Sequence, residues 1–188
     1  GLLHADHLQA NAHFLSAYYR IFPQGDDRPH QYLSHPKIGI DIDEVICGWT
    51  IGWTEKFGYD IPENWNFSYN NSLHFQSMSA EELNEFYLNL PPCLKPSELP
   101  FEPHCYITSR SVPVELTKQW IQKNGFPTRP VYSIGHDQSK VDVALESGVE
   151  VFVDDAFHNF VELNRAGICT YLWNTPHNQR YNVGYKRI

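Results

Sequence analysis

Asp41 and Asp43 close an apolar run that enters from Lys37. On an extended strand, side chains two residues apart point to the same side. If the chain turns at that point, both carboxylates can reach one cleft. Two acids so close repel unless a shared proton or a cation relieves them. A hard divalent cation such as Mg²⁺, which takes oxygen ligands, is the natural partner. Three later sets could serve the same cleft. They are Thr108-Ser109-Arg110, Ser139-Lys140 and Asp154-Asp155. A hydroxyl and an amide can hold an anion, a lysine can offset its charge, and a second acidic pair can complete a cation site.

Each set needs an element to place it, and the sequence supplies a regular series. Residues 37–43 read as a strand covered on both faces, because the apolar run is unbroken. After Pro103 come a strand at 104–108, an amphipathic helix at 112–123 with Leu116, Trp120 and Ile121 inward, and a strand at 131–134. A short helix at 139–146, a strand at 149–153, a helix at 157–165 and a strand at 168–173 follow. This alternation predicts an α/β fold, a Rossmann-like three-layer sandwich around a parallel sheet. Ligands of such sheets bind beyond the carboxyl ends of the strands. All four polar sets stand at such ends.

Two segments lie outside the series. Residues 5–22 read as a helix, with His4, His7 and His13 as solvated side chains, and 23–36 as a proline-containing linker. Residues 48–100 read as a small helical insertion after the first strand. Ser79 and Glu82 form a capping box that starts a helix at 80–90, and Pro91-Pro92 stop it. The many aromatics of the insertion read chiefly as its own core. Trp65 and Phe67, on an irregular stretch, are the two that could stack on a substrate ring.

The four ordered sets resemble the motifs of the haloacid dehalogenase (HAD) superfamily of phosphotransferases. Those motifs are Asp-x-Asp after the first strand, Thr or Ser after the second, then Lys or Arg, then an acidic pair. Asp-Ile-Asp-Glu-Val and the late Trp173-Asn-Thr-Pro-His-Asn178 stretch are similar to the 5′(3′)-deoxyribonucleotidase branch. That branch often carries Asp-x-Pro-Tyr-Asn there, and His177 stands in the place of the Tyr. The resemblance implies a phosphomonoesterase with a HAD-like core at 37–47 and 101–188 and a cap at 48–100. It implies Asp41 as nucleophile and Asp43 as acid and base. Asp41, the Asp43 carbonyl, Asp154 and Asp155 would hold Mg²⁺. Thr108 and the Ser109 amide would hold phosphoryl oxygens, and Lys140 would balance charge. Arg110 is left with two readings, a clamp on the substrate or a partner for an acid of the insertion. Glu44, where many relatives have Gly, reads as structural.

The whole chain bounds these expectations. At 188 residues it can bury one sizeable core, and a formal charge of −8 disfavours a nucleic-acid polymer as partner. A small phosphorylated substrate, such as a nucleoside monophosphate, remains compatible because a local cation can dominate a site's field. The four cysteines lack zinc or redox spacing, and no membrane-length or signal-like run is legible, which points to a cytoplasmic protein. A Ca²⁺ loop starting at Asp41 would need Gly at its sixth position and Glu at its twelfth, where Ile46 and Gly52 stand. A glycosyltransferase Asp-x-Asp would leave Lys140 and the second acidic pair without a task. Hydrolysis of sugar phosphates is the second expectation among enzymes, and a non-catalytic scaffold of the same fold is the expectation outside them.

Overall fold

The computed structural model describes residues 36–62, 68–135 and 137–188, with backbone alone over 68–72. The helix expected at 5–22, nearly all of the linker after it, and Trp65 and Phe67 lie outside the described residues.

The sheet has five parallel strands. They are β1 (Ile38–Ile40), β2 (Cys105–Thr108), β3 (Val131–Ser133), β4 (Val151–Asp154) and β5 (Cys169–Leu172). Their order across the sheet is β3-β2-β1-β4-β5. Gly39 pairs with Cys105 on one side and Phe152 on the other, so β1 is central. The chain runs outward from β1 through β2 to β3, then crosses back to β4 on the other flank. The reversal leaves a crevice between the carboxyl ends of β1 and β4, where open α/β sheets bind ligands.

Period-two alternation sends side chains to two apolar layers. Ile38, Ile40, Tyr106, Val151 and Val153 join one cluster. Cys105, Ile107 and Phe152 join the other. Over the first face lie α1 (Trp49–Phe57), α3 (Ala80–Leu88) and α4 (Val114–Lys123), which contribute Trp49, Trp53, Phe86, Trp120 and Ile121. Between α1 and α3 runs α2 (Ser68–Ser77). Over the second face lie α5 (Val141–Glu146) and α6 (Phe157–Arg165), which contribute Ala144 and Leu163. The α/β class and the three-layer arrangement are as the sequence reads.

Several boundaries differ from that reading by a residue or two, and two of the differences have a visible cause. β1 stops at Ile40, short of the expected 43, because the chain folds back at once. The Ile42 carbonyl accepts the amides of Val45, Ile46 and Cys47, and Glu44 adopts a left-handed φ of 68°. α4 begins at Val114, not 112, since Pro113 is its N-cap.

The insertion does not keep a core to itself. Trp49, Trp53 and Phe86 belong to the same cluster as the sheet residues Ile38, Ile40 and Tyr106. Trp120 of α4 donates its indole N–H to Leu90 O at 2.9 Å, and Lys123 Nζ donates to Asn89 Oδ1 at 3.1 Å. Helix α3 starts at the capping box foreseen, with Glu82 N donating to Ser79 Oγ at 3.1 Å and Ser79 N to Glu82 Oε2 at 3.0 Å. All four cysteines are free thiols. Among the described residues no helix is long and apolar enough to cross a membrane.

Candidate active site

The strand ends deliver the expected side chains to the crevice. Asp41 follows β1, its amide still donating to Val153 O of β4 at 2.9 Å. Asp154 ends β4 and Asp155 follows it. The carboxylates of Asp41, Asp154 and Asp155 offer oxygens that all lie within 4.8 Å of one another, and all three residues are buried. Burial, and then the charge of Asp154, push the pKa values of Asp41 and Asp155 well above the usual carboxylate range.

Lys140, ahead of α5, is the positive charge among these acids. Its side chain is 2% exposed, and Nζ donates to Asp41 Oδ1 and to Asp154 Oδ2, each at 2.8 Å. Burial works against its charge, but the Asp154 and Asp41 carboxylates outweigh it, so the ammonium holds its proton far into the alkaline range. Asp154 is fully engaged. Its Oδ1 accepts the amide of Ala156 at 2.9 Å, and its Oδ2 also accepts Asn159 Nδ2 at 3.0 Å. One ammonium cannot neutralise three buried acids. The all-oxygen donor set fits a hard divalent cation, which would displace the proton that Asp41 and Asp155 share.

Thr108 ends β2. It is 1% exposed, and its hydroxyl has no hydrogen-bond partner among the described residues. A buried hydroxyl left unpaired is costly unless something else satisfies it. Its own carbonyl is used, accepting the Ile134 amide at 2.9 Å. Ser109 follows Thr108 in the chain.

The turn after β1 separates the two aspartates that the sequence places together. Asp43 faces Arg110, not Lys140. Arg110 Nη2 donates to Asp43 Oδ1 at 2.7 Å, and Nε donates to Oδ1 at 3.2 Å and to Oδ2 at 3.0 Å. The guanidinium lies over Tyr87 of α3 at 5.0 Å and near Trp120 at 5.9 Å, and also reaches Cys47 Sγ at 3.2 Å. Burial opposes the charge of Arg110, but Asp43 more than compensates and raises its pKa. The acid that Arg110 takes therefore belongs to the core turn and not to the insertion. Glu44, like its neighbour Asp43, is half-buried. Its Oε1 accepts the Thr50 amide near the start of α1, and burial raises its pKa.

Three residues of this neighbourhood carry no site role in the sequence reading, although His177 and Asn178 close the 173–178 stretch noted there. His177 Nε2 lies 2.7 Å from Asp155 Oδ2, with both side chains buried. Burial pulls the His177 pKa down to about 4, so the ring is neutral near pH 7. Asn178 Nδ2 donates to the Asp155 carbonyl at 2.9 Å. Asn159 holds Asp154 as described. His177 and Asn178 lie just beyond β5, so counting the fifth strand end with the other four gives them a place at the site. Asn159 lies in the first turns of α6, where only its nearness to Asp154 in sequence hints at a role.

Comparison of the sequence with protein-family models and with curated proteins finds no match to either.

Proposed function

We propose that this chain is a Mg²⁺-dependent phosphomonoesterase of the HAD type, working through an aspartyl-phosphate on Asp41. The observation that carries the reading is the convergence, at one crevice, of Asp41, the unpartnered Thr108 hydroxyl, Lys140 and the Asp154–Asp155 pair from successive strand ends.

Each residue then has a distinct task. Asp41 attacks phosphorus, forming a P–O bond while the bond to the leaving alkoxide breaks. Asp43 gives that alkoxide a proton, then takes one from the water that hydrolyses the acyl phosphate and frees Asp41. Arg110 fixes the Asp43 carboxylate in place. Asp43 keeps 25% of its side chain exposed while that of Arg110 keeps 1%, so the acid faces the solvent side of the pair. Thr108 and the Ser109 amide receive phosphoryl oxygens. Lys140 orients Asp41 through Oδ1 and lowers the repulsion between nucleophile and phosphate. Asp41, Asp154, Asp155 and the Asp43 carbonyl would hold Mg²⁺, which when bound would supply the further positive charge an anionic phosphate needs to approach a carboxylate.

The segment 48–100 acts as the cap over this site, and a 5′(3′)-deoxyribonucleotidase-like substrate range fits the Asp-Ile-Asp-Glu-Val form. A second reading has a specific observation in its favour. Trp49, Trp53 and Phe86 are committed to the shared core, which takes them away from any nucleobase and favours a smaller monoester such as a sugar phosphate. A panel of deoxynucleoside monophosphates and sugar phosphates, run with Mg²⁺ and then with EDTA, separates the two. Asp41→Asn tests the mechanism itself. Turnover of an aryl phosphate should fall about 10³-fold or more with the fold intact by circular dichroism. Full activity in that variant would sink the mechanism. No turnover of any phosphate by the unaltered chain would leave a metal-binding scaffold.

A further inference from the structure

His177 is a buried imidazole that takes no part in the steps above, yet it touches one of the three clustered acids. The two members of the acidic pair are held by different parts of the molecule. Asp154 is held by Lys140 and by α6, through Ala156 and Asn159. Asp155 is held by the 3₁₀ turn Pro176–Asn178 that follows β5. That turn grips it twice. Asn178 Nδ2 donates to the Asp155 carbonyl at 2.9 Å and to the Trp173 carbonyl at 2.7 Å, which pins the backbone. His177 Nε2 engages the carboxylate at 2.7 Å, which pins the side chain.

The turn is itself braced. Asn178 Oδ1 accepts the Thr175 amide at 3.2 Å and Arg187 Nη1 at 2.8 Å. The imidazole therefore sits on a fixed platform. Asp155 gains from such a restraint once a cation displaces its hydrogen bond with Asp41, because the charge of Asp154 repels its own. A carboxylate in that position loses less freedom on gripping a cation if a neutral donor already fixes one of its oxygens.

We propose that His177 is a positioning residue for Asp155, donating its Nε2 proton to Oδ2 so that the carboxylate is preset for a divalent cation at the Asp41–Asp154–Asp155 cluster. The proposal rests on the metal site of the preceding section. Partners of this kind typically contribute 10- to 100-fold in metal affinity by fixing the orientation of a ligand.

The test uses Mn²⁺ as the probe, with free ion counted by electron paramagnetic resonance against the full chain. His177→Ala should weaken Mn²⁺ binding roughly 10- to 100-fold. His177→Gln, which restores an N–H near the place of Nε2, should bind within about threefold of the unaltered chain. A residue that merely fills space would give lower thermal stability in EDTA with unchanged Mn²⁺ affinity. Equal affinity in His177→Ala overturns the proposal and leaves the metal site standing. If neither the unaltered chain nor Asp154→Asn shows saturable Mn²⁺ binding, the metal site falls and the proposal with it. A second measurement needs no variant. In the Mg²⁺-saturated chain, long-range ¹H–¹⁵N spectra should show the His177 proton on Nε2. An unprotonated Nε2 overturns the proposal even if His177→Ala fails to fold.

Discussion

Arg110 grips Asp43 through three hydrogen bonds, so the end of β2 fixes the acid that follows β1. The guanidinium is itself wedged against Tyr87 and Trp120. If Asp43 moves protons, Arg110 acts through it and not on the substrate. Arg110→Lys keeps a charge but loses the planar fork. The expected result is a fall in kcat of about 10²-fold, the low end of what general acid–base catalysis contributes, with KM nearly unchanged. A large rise in KM with kcat preserved would instead place Arg110 on the substrate.

Lys140 holds together a cluster that would otherwise repel itself. Lys140→Met removes the ammonium and leaves Asp41 and Asp154 buried without it. Breaking a buried pair in this way costs about 3–5 kcal/mol. Urea unfolding in EDTA at pH 7 should show a loss of that size, and added Mg²⁺ should recover part of it. Activity should stay low even after stability returns, because the charge beside Asp41 Oδ1 is missing. An unchanged urea midpoint in EDTA would mean that the ammonium is not stabilising the acids.

Gly39 is constrained by space and not by backbone angle. A Cβ there would lie 2.8 Å from the Phe152 ring and 3.0 Å from Val149. Strand β1 is paired on both sides and cannot shift to make room. Gly39→Ala should therefore cost about 1–3 kcal/mol of overpacking. The same displacement would carry Asp41, two residues on, so aryl-phosphate turnover should fall along with stability. Denaturant melts and steady-state assays on one preparation check both.

Tyr87 gives a pH signature in the alkaline range. Burial, with the charge of Asp43 adding to it, raises its pKa from 10.0 to about 12. Between those values the unfolded chain has lost a proton that the folded chain keeps. The unfolded state then binds fewer protons, so stability is full below pH 10 and declines as pH rises toward 12, by about 1.4 kcal/mol per pH unit. Tyr87→Phe should make that decline shallower. Equal slopes in urea titrations at pH 9 to 11.5 would contradict the assignment.

The sequence made the strand-end chemistry legible and the cross-chain contacts illegible, for a physical reason. Asp41, Thr108, Lys140, Asp154 and Asp155 could be placed because β/α alternation dictates which ends share an edge. The Arg110–Asp43 pair could not. Its members are far apart in the chain, and the turn that re-aims Asp43 depends on the unusual φ of Glu44. Sequence spacing suggested that Asp41 and Asp43 act side by side, whereas the fold gives one to Lys140 and the other to Arg110. The aromatics of 48–100 do pack on one another, as Trp49 does on Trp53 and Phe86, but that they share the sheet's core is illegible for a similar reason. Composition shows that Trp49, Trp53 and Phe86 will be buried, but not against which surface.

The central place of β1 has a consequence for how the molecule comes to fold. Ile38 pairs with Val151, and Gly39 with Cys105, so the strand that precedes Asp41 has no partner close to it in sequence. Pairings of such long range slow folding, because chain closure must precede the contacts that reward it. During synthesis β1 emerges first and stays unpaired until β2 and β4 have followed. Closure entropy also grows only logarithmically with length, about 0.6 kcal/mol for each doubling of a loop. Surface turns between the helices of the stretch joining β1 to β2 can therefore lengthen at little cost in closure entropy, while Trp49, Trp53 and Phe86 stay in the core and the acids and the lysine stay where the sheet puts them.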